Sequence, residues 1–225
     1  MSFKGRTLTQ MTGSIYAIDG TTLWATNTDS VIRIYSLVSD LEVEFKAFLT
    51  DLSDDFQSSW NSEEVFGRMD PIGTFSGTKR TISVGWDVPA ASLQEAISNS
   101  EALRTLTSML YPGYSGNPVS VDEQAVVSAN SISRSPLVRV KFANLIAAAN
   151  GEGDSAKEGG LLGWIDGINL QPQVEQGFLI DNKKHYPKTY KLSIKLNVLH
   201  EHELGFDDQN GWIATGTSTK WPFGG

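Results

Sequence analysis

The 225-residue chain has no cysteine, only three histidines, and no apolar run approaching the length of a membrane span. Without thiols, disulfides, thiolate metal sites and cysteine nucleophiles are excluded, and folding needs no oxidising compartment. So few imidazoles leave little material for acid–base or metal chemistry. A bilayer crossing takes about 20 consecutive apolar residues, and Met1 to Thr12 lacks the apolar stretch of a secretory signal. Neither membrane insertion nor export by a cleaved signal is expected. Positive charge is short as well: eighteen Lys and Arg face twenty-six Asp and Glu, for a formal charge of −8. Gripping nucleic acid depends on basic side chains that displace counterions, so a DNA-binding module is not expected.

What is present is alternation. Tyr190, Leu192, Ile194, Leu196 and Val198 alternate with Lys191, Ser193, Lys195 and Asn197, the period of a half-buried strand. Ile82, Val84, Trp86 and Val88 alternate in the same way with Thr81, Ser83, Gly85 and Asp87. Leu41, Val43, Phe45, Ala47 and Leu49 enclose Glu42, Glu44 and Lys46, and Val138, Val140 and Phe142 enclose Arg139 and Lys141. Val31 to Val38 reads as a further strand, and Leu161 to Leu170 and Val174 to Ile180 as two more, joined in a hairpin through Gln171, Pro172 and Gln173.

One helix is expected over about 89–111. Ser92 and Glu95 have capping-box spacing, and Pro89 is tolerated only near a helix start. Leu93, Ala96, Ile97, Leu103, Leu106, Met109 and Leu110 form an apolar stripe that Pro112 and Gly113 end. Ser98 and Glu101 offer a second capping box, which leaves one helix or two open. The Gly-rich stretch from Ala147 to Gly160 has no long apolar side chain and reads as a surface loop. The expected fold is mainly β, of the α+β kind: an antiparallel sandwich or split barrel closed by one flanking helix. It forms a single domain, 1–225, with an N-terminal extension of about 1–40 and a C-terminal tail of about 207–225.

Catalytic candidates are few. His200 and His202 would share a strand face and hold two imidazoles against one metal ion, yet alternation with Glu201 and Glu203 is also that of a solvated strand end. Asp51, Asp54, Asp55, Glu63, Glu64 and Asp70 supply carboxylates, but a glycosidase needs one with a raised pKa in an apolar cleft, and these read as loop and strand-end acid. No nucleophile elbow, phosphate-binding loop or dinucleotide fingerprint occurs in the sequence. No enzyme activity, metal or cofactor is expected. Lys183, Lys184, Lys188, Lys191 and Lys195 form a basic group. Lys191 and Lys195 occupy the wet face of a strand, from which they would meet the acidic Asp51–Asp55 or Glu201–Asp208 patch of a neighbouring copy.

The segment from Phe56 to Ile72, with Trp60, Phe66, Gly67, Arg68, Asp70 and Pro71, resembles a segment of tail-tube initiator or baseplate-to-tube junction proteins of contractile-tailed bacteriophages. Thr78–Trp86, Leu110-Tyr111-Pro112, Pro136–Phe142 and Tyr186-Pro187-Lys188 follow in a similar order. The resemblance spans about Phe45 to Phe206. It implies a tube-type β-sandwich or split barrel that lends long hairpins to a continuous inner barrel, six copies to a ring. Its partners would be baseplate hub or spike proteins on one face and tail tube protein on the other, with DNA passing through unbound and no membrane contact. The protein would be made in the host cytoplasm and reside in the virion. Trp60, Phe66 and Arg68, together with Lys191, Lys195 and the C-terminal Trp212, Trp221 and Phe223, are then candidate interface residues, and Glu42 and Glu44 candidates to line the channel. Trp60 and Phe66 would otherwise close the core beneath a loop, and Glu42 and Glu44 would otherwise be an ordinary wet strand face. The nearest rival is the major tail tube protein. From other classes come a tail-associated cell-wall hydrolase and a glycan-binding β-domain, the latter hinted at by Trp212.

Overall fold

In a computed structural model, residues 25, 27–115, 119–121, 124–126, 131–148, 153–206, 208, 211 and 213 are described. The first strands are β1 (Val31–Ser36), β2 (Glu42–Lys46), β3 (Phe48–Glu63) and β4 (Ile72–Pro89), followed by helix α1 (Leu93–Ser108). Then come β5 (Gly113–Ser115), β6 (Val119–Val121), β7 (Gln124–Val126), β8 (Ser131–Arg134) and β9 (Val138–Phe142). A short helix α2 (Ala156–Gly159) precedes β10 (Leu161–Pro172), β11 (Phe178–Asp181), β12 (Lys184–Pro187) and β13 (Thr189–Val198). The fold is mainly β: seven strands form one antiparallel sheet in the order β2-β1-β9-β10-β13-β4-β3, and β5 with β8, β6 with β7 and β11 with β12 form separate ribbons.

The chain order forces that sheet to curl. β2 and β3 lie at its two opposite edges yet are separated in sequence by Ala47 alone. With consecutive Cα atoms about 3.8 Å apart, the two edges approach within about 8 Å at that corner. The inward faces therefore look at one another and share one cluster of buried side chains, among them Ile32, Ile34, Phe45, Trp86, Val140, Leu192 and Leu196. Phe45 and Trp86 meet at 5.8 Å between ring centroids, tilted by 51°. Each such side chain contributes about 1.5–3 kcal/mol by leaving water.

α1 adds Ala102, Leu103, Leu106 and Met109 to the same cluster. It is one continuous helix, not two, because Ser98 and Asn99 are buried within it rather than capping a new start. Its N-terminus is capped as the spacing predicts: Ser92 Oγ accepts from the Glu95 amide at 3.2 Å. Glu95 Oε2 reaches back to the Ala91 amide at 2.8 Å, and its other oxygen accepts from Lys46 Nζ at 2.7 Å. That buried pair ties the helix to the corner where β2 passes into β3.

Three local expectations need correction. The stretch from Ala147 to Gly160 is not simply a surface loop: its described part includes α2, capped by Ser155, with Ala156 fully buried. Small residues let this backbone approach closely enough for Lys141 Nζ to donate to the Gly153 carbonyl at 2.6 Å. β10 and β11 do not form a hairpin. β10 pairs with β13 and β9, whereas a 3₁₀ turn over Val174–Gln176 and Gly177, at φ 82°, redirect the chain so that β11 pairs with β12. Asn182 and Lys183 both have positive φ, which makes the β11–β12 connection a type I′ turn. Last, the strand read over Leu41–Leu49 is broken at Ala47, where the chain changes from one sheet edge to the other.

Candidate interaction surface

The strand expected over Thr81–Val88 begins nine residues earlier, at Ile72, and β3 runs alongside it to Glu63. β13 pairs with β4 only from Pro89 to Thr81. Ile72–Arg80 and the facing Phe56–Glu63 therefore leave the sheet as a two-stranded arm. At about 3.3 Å per residue it projects roughly 30 Å.

Arg80 marks the root. Its side chain continues the inward parity of Ile82, Val84 and Trp86, and it is only 2% exposed. A buried guanidinium needs a partner, and Asp54 on β3 supplies one: Nε donates at 2.9 Å and Nη2 at 2.7 Å to its two carboxylate oxygens. The Phe56 ring lies 5.4 Å from Arg80 Cζ. Further out, Trp60 and Phe75 pair across the strands at 5.2 Å between centroids. Gly73 lies beneath the Trp60 ring, where an added Cβ would stand 3.5 Å from it. Asn61 Nδ2 donates to Ser76 Oγ at 3.1 Å. The tip turns through Gly67 at φ 90° and presents Phe66 and Met69 fully exposed, with Val65 and Ile72 exposed beside them.

Of the expected interface residues, Trp60 (61% exposed) and Phe66 stand in solvent rather than under a loop, and Arg68 is exposed at the tip. Lys191 and Lys195 are exposed on the outward face of β13. Their register continues through Asp87 and Ser83 of β4 to the β3 residues Phe48 and Ser53. Asp51 and Asp55 share that face, so the acid and base expected to meet between copies lie two strands apart in one chain. Trp212, Trp221 and Phe223 are outside the described residues. Glu42 and Glu44 face away from Val43 and Phe45, yet this face is half-buried. Glu44 accepts from Arg33 Nε at 3.0 Å, and Arg33 Nη1 donates to Asp29 at 2.6 Å. Burial opposes the Arg33 charge, but the two carboxylates outweigh it and raise its pKa. Burial likewise raises the pKa of Glu42, against the pull of backbone N–H groups at the start of α2.

The two C-terminal histidines follow the end of β13, so strand parity no longer aligns them. His200 is held below its ordinary pKa by burial first, then by the charges of Arg80 and His202. Glu201 between them is engaged by both Nη atoms of Arg139. Among the described residues no group of three or more His, Asp or Glu is arranged to hold a metal. The cavity between Lys46, Val88, Pro89, Glu95 and Asn99 has about 10 Å³, room for one water and far below the 300 Å³ or more of a ligand pocket.

Sequence reasoning missed the Lys46–Glu95, Arg80–Asp54 and Arg139–Glu201 pairs. One signal was available: Arg80 sits two residues before Ile82 in an alternating strand, an inward position at which a charge demands a counter-charge. Compared with known proteins, the chain matches no protein-family model and no curated protein.

Proposed function

We propose that the chain is a structural subunit of a contractile phage tail, seated where the baseplate meets the inner tube, and that it acts through surfaces rather than by catalysis. The observation that carries this reading is the arm. A two-stranded ribbon is marginal in water by itself, and among the described residues nothing pairs with the outer edges of this one, whose tip is apolar and exposed. Such an arm calls for a partner along its edges. If the β3 edge of one copy pairs with the Ile72–Arg80 edge of the next, two different edges meet, and a contact of that kind closes into a ring when the rotation it sets divides a full turn. The curled sheet with α1 at its side fits a split-barrel subunit behind such a ring. The place in the stack rests on the likeness of Phe56–Ile72 to junction proteins.

In this reading six copies surround a DNA channel, with hub or spike proteins on one face and tube subunits on the other. Asp51 and Asp55 on the outward face are better placed to line a channel than Glu42 and Glu44, which Arg33 and α2 occupy. Negative-stain microscopy of the purified chain tests the proposal. Rings or short stacks that seed tube growth are expected; long self-made tubes would favour the major tube protein instead. Monomers that degrade peptidoglycan would favour a hydrolase.

A further inference from the structure

The arm tip combines apolar side chains with acid: Val65, Phe66 and Met69 stand among Glu63, Glu64 and Asp70. The β11–β12 ribbon combines apolar side chains with base. Its inward residues Leu179 and Tyr186 are half-buried on the side that packs near α1. Its outward face presents Phe178 and Ile180, with Val174 exposed just before them, and Lys183, Lys184 and Lys188 are exposed around it. None of these three lysines or three tip carboxylates forms an ion pair with another described residue. The two surfaces are thus complementary in both charge and apolar character.

They cannot meet within one chain. The ribbon is fixed at the Pro89 end of β4, where the Ala90 amide donates to the Lys188 carbonyl at 2.7 Å and Thr189 pairs with Pro89. The tip extends from the opposite end of the same strand, whose 18 residues reach roughly 55 Å at about 3.3 Å per residue. We propose that the arm tip of one copy docks on the β11–β12 ribbon of a second copy, Phe66 and Met69 covering Phe178 and Ile180 while Glu63 and Glu64 face Lys183 and Lys184. Repeated from copy to copy, the contact runs head to tail and leaves one free tip at one end of the assembly and one free ribbon at the other. It rests on the self-assembly reading above but concerns a different surface from the arm edges.

The natural absence of cysteine allows a direct test on the full chain. Phe66→Cys and Ile180→Cys are both exposed positions whose replacement leaves the core intact. Under mild oxidation the double variant should give a disulfide ladder beyond the dimer, whereas either single variant, with no thiol facing its own, should stay uncrosslinked. In parallel, Glu63→Lys with Glu64→Lys, or Lys183→Glu with Lys184→Glu, should each weaken low-salt association by about tenfold or more, and the four changes together should restore it. Assemblies that form normally but give no 66–180 linkage and ignore the charge reversals would overturn this docking while leaving the ring proposal standing. A chain that stays monomeric under all conditions would overturn both.

Discussion

β4 is one strand with two lives. From Ile82 to Val88 every second side chain is buried, and the strand has neighbours on both sides. From Ile72 to Lys79 no side chain is buried, and among the described residues β3 is its only partner. The strand runs on through both, apart from a bulge where Ser59 and Trp60 meet Gly77, at φ 150°, and Phe75; what changes most is the number of partners. Cross-strand hydrogen bonds alone therefore do not distinguish a strand that builds a core from one that is offered to something else. The division falls at Arg80, whose charge is buried at the last inward position and held by Asp54.

Aromatic truncation separates the two halves most sharply. Trp86→Ala, at a site with no exposure, should cost about 3–5 kcal/mol in urea unfolding. Trp60→Ala, which loses an exposed pairing with Phe75 and the cover over Gly73, should cost under about 1 kcal/mol while reducing assembly in sedimentation. If the monomer loses comparable stability from both, the arm belongs to the folding unit. Next in size, Asp54→Ala should cost about 3 kcal/mol by leaving Arg80 buried without its bidentate partner, again read by chemical denaturation. A near-neutral result would mean that the root is open to water.

Smaller effects sharpen the account within the body. Glu44→Gln should destabilise by about 1–2 kcal/mol, because Arg33 keeps only Asp29 as a charged partner among the contacts described. Glu42→Gln, one step along the same face, should be neutral or slightly stabilising at pH 7. Its folded pKa is raised, so its contribution is favourable below the ordinary carboxyl value and is lost as pH rises through the folded value. Equal losses from the two substitutions, measured by thermal unfolding at pH 7, would refute that distinction. The smallest effect concerns His200. With its folded pKa below the ordinary 6.5, the unfolded chain takes up a proton first, so stability should decline as pH falls below about 6.5 and level off beneath the folded value. The residue is only partly shielded and keeps contact with solvent, which keeps the change small; His200→Gln should flatten the profile in this range.

The sequence was most legible where one face is buried. Alternation around Trp86, Val140 and Ile194 located three strands of the sheet, and Ser92 with Glu95 located the helix start. The arm left no such trace. Ser58, Ser59, Thr74, Ser76, Gly77 and Thr78 are polar on both faces, and a ribbon with nothing to bury need not alternate. The curl at Ala47 was hidden for the opposite reason, since apolar spacing runs unbroken from Val43 to Leu49 while the chain changes sheet edge. The lysines from Lys183 to Lys195 read as one patch, but the type I′ turn and the start of β13 divide them between a ribbon at one end and the outward face of the sheet. Trp60 and Phe66 could be picked out by composition, though not their place on a projecting arm.

Hydrogen exchange resolved along the chain, followed from dilute to concentrated protein, tests the central claim that the body is self-sufficient and the arm is completed by a partner. Strong protection is expected over 82–88 and 190–198 at every concentration, with rapid exchange over 56–63 and 72–80 in the monomer that slows as assemblies form. An arm as protected as the body in dilute monomer, or one that gains nothing when assemblies appear, would contradict it.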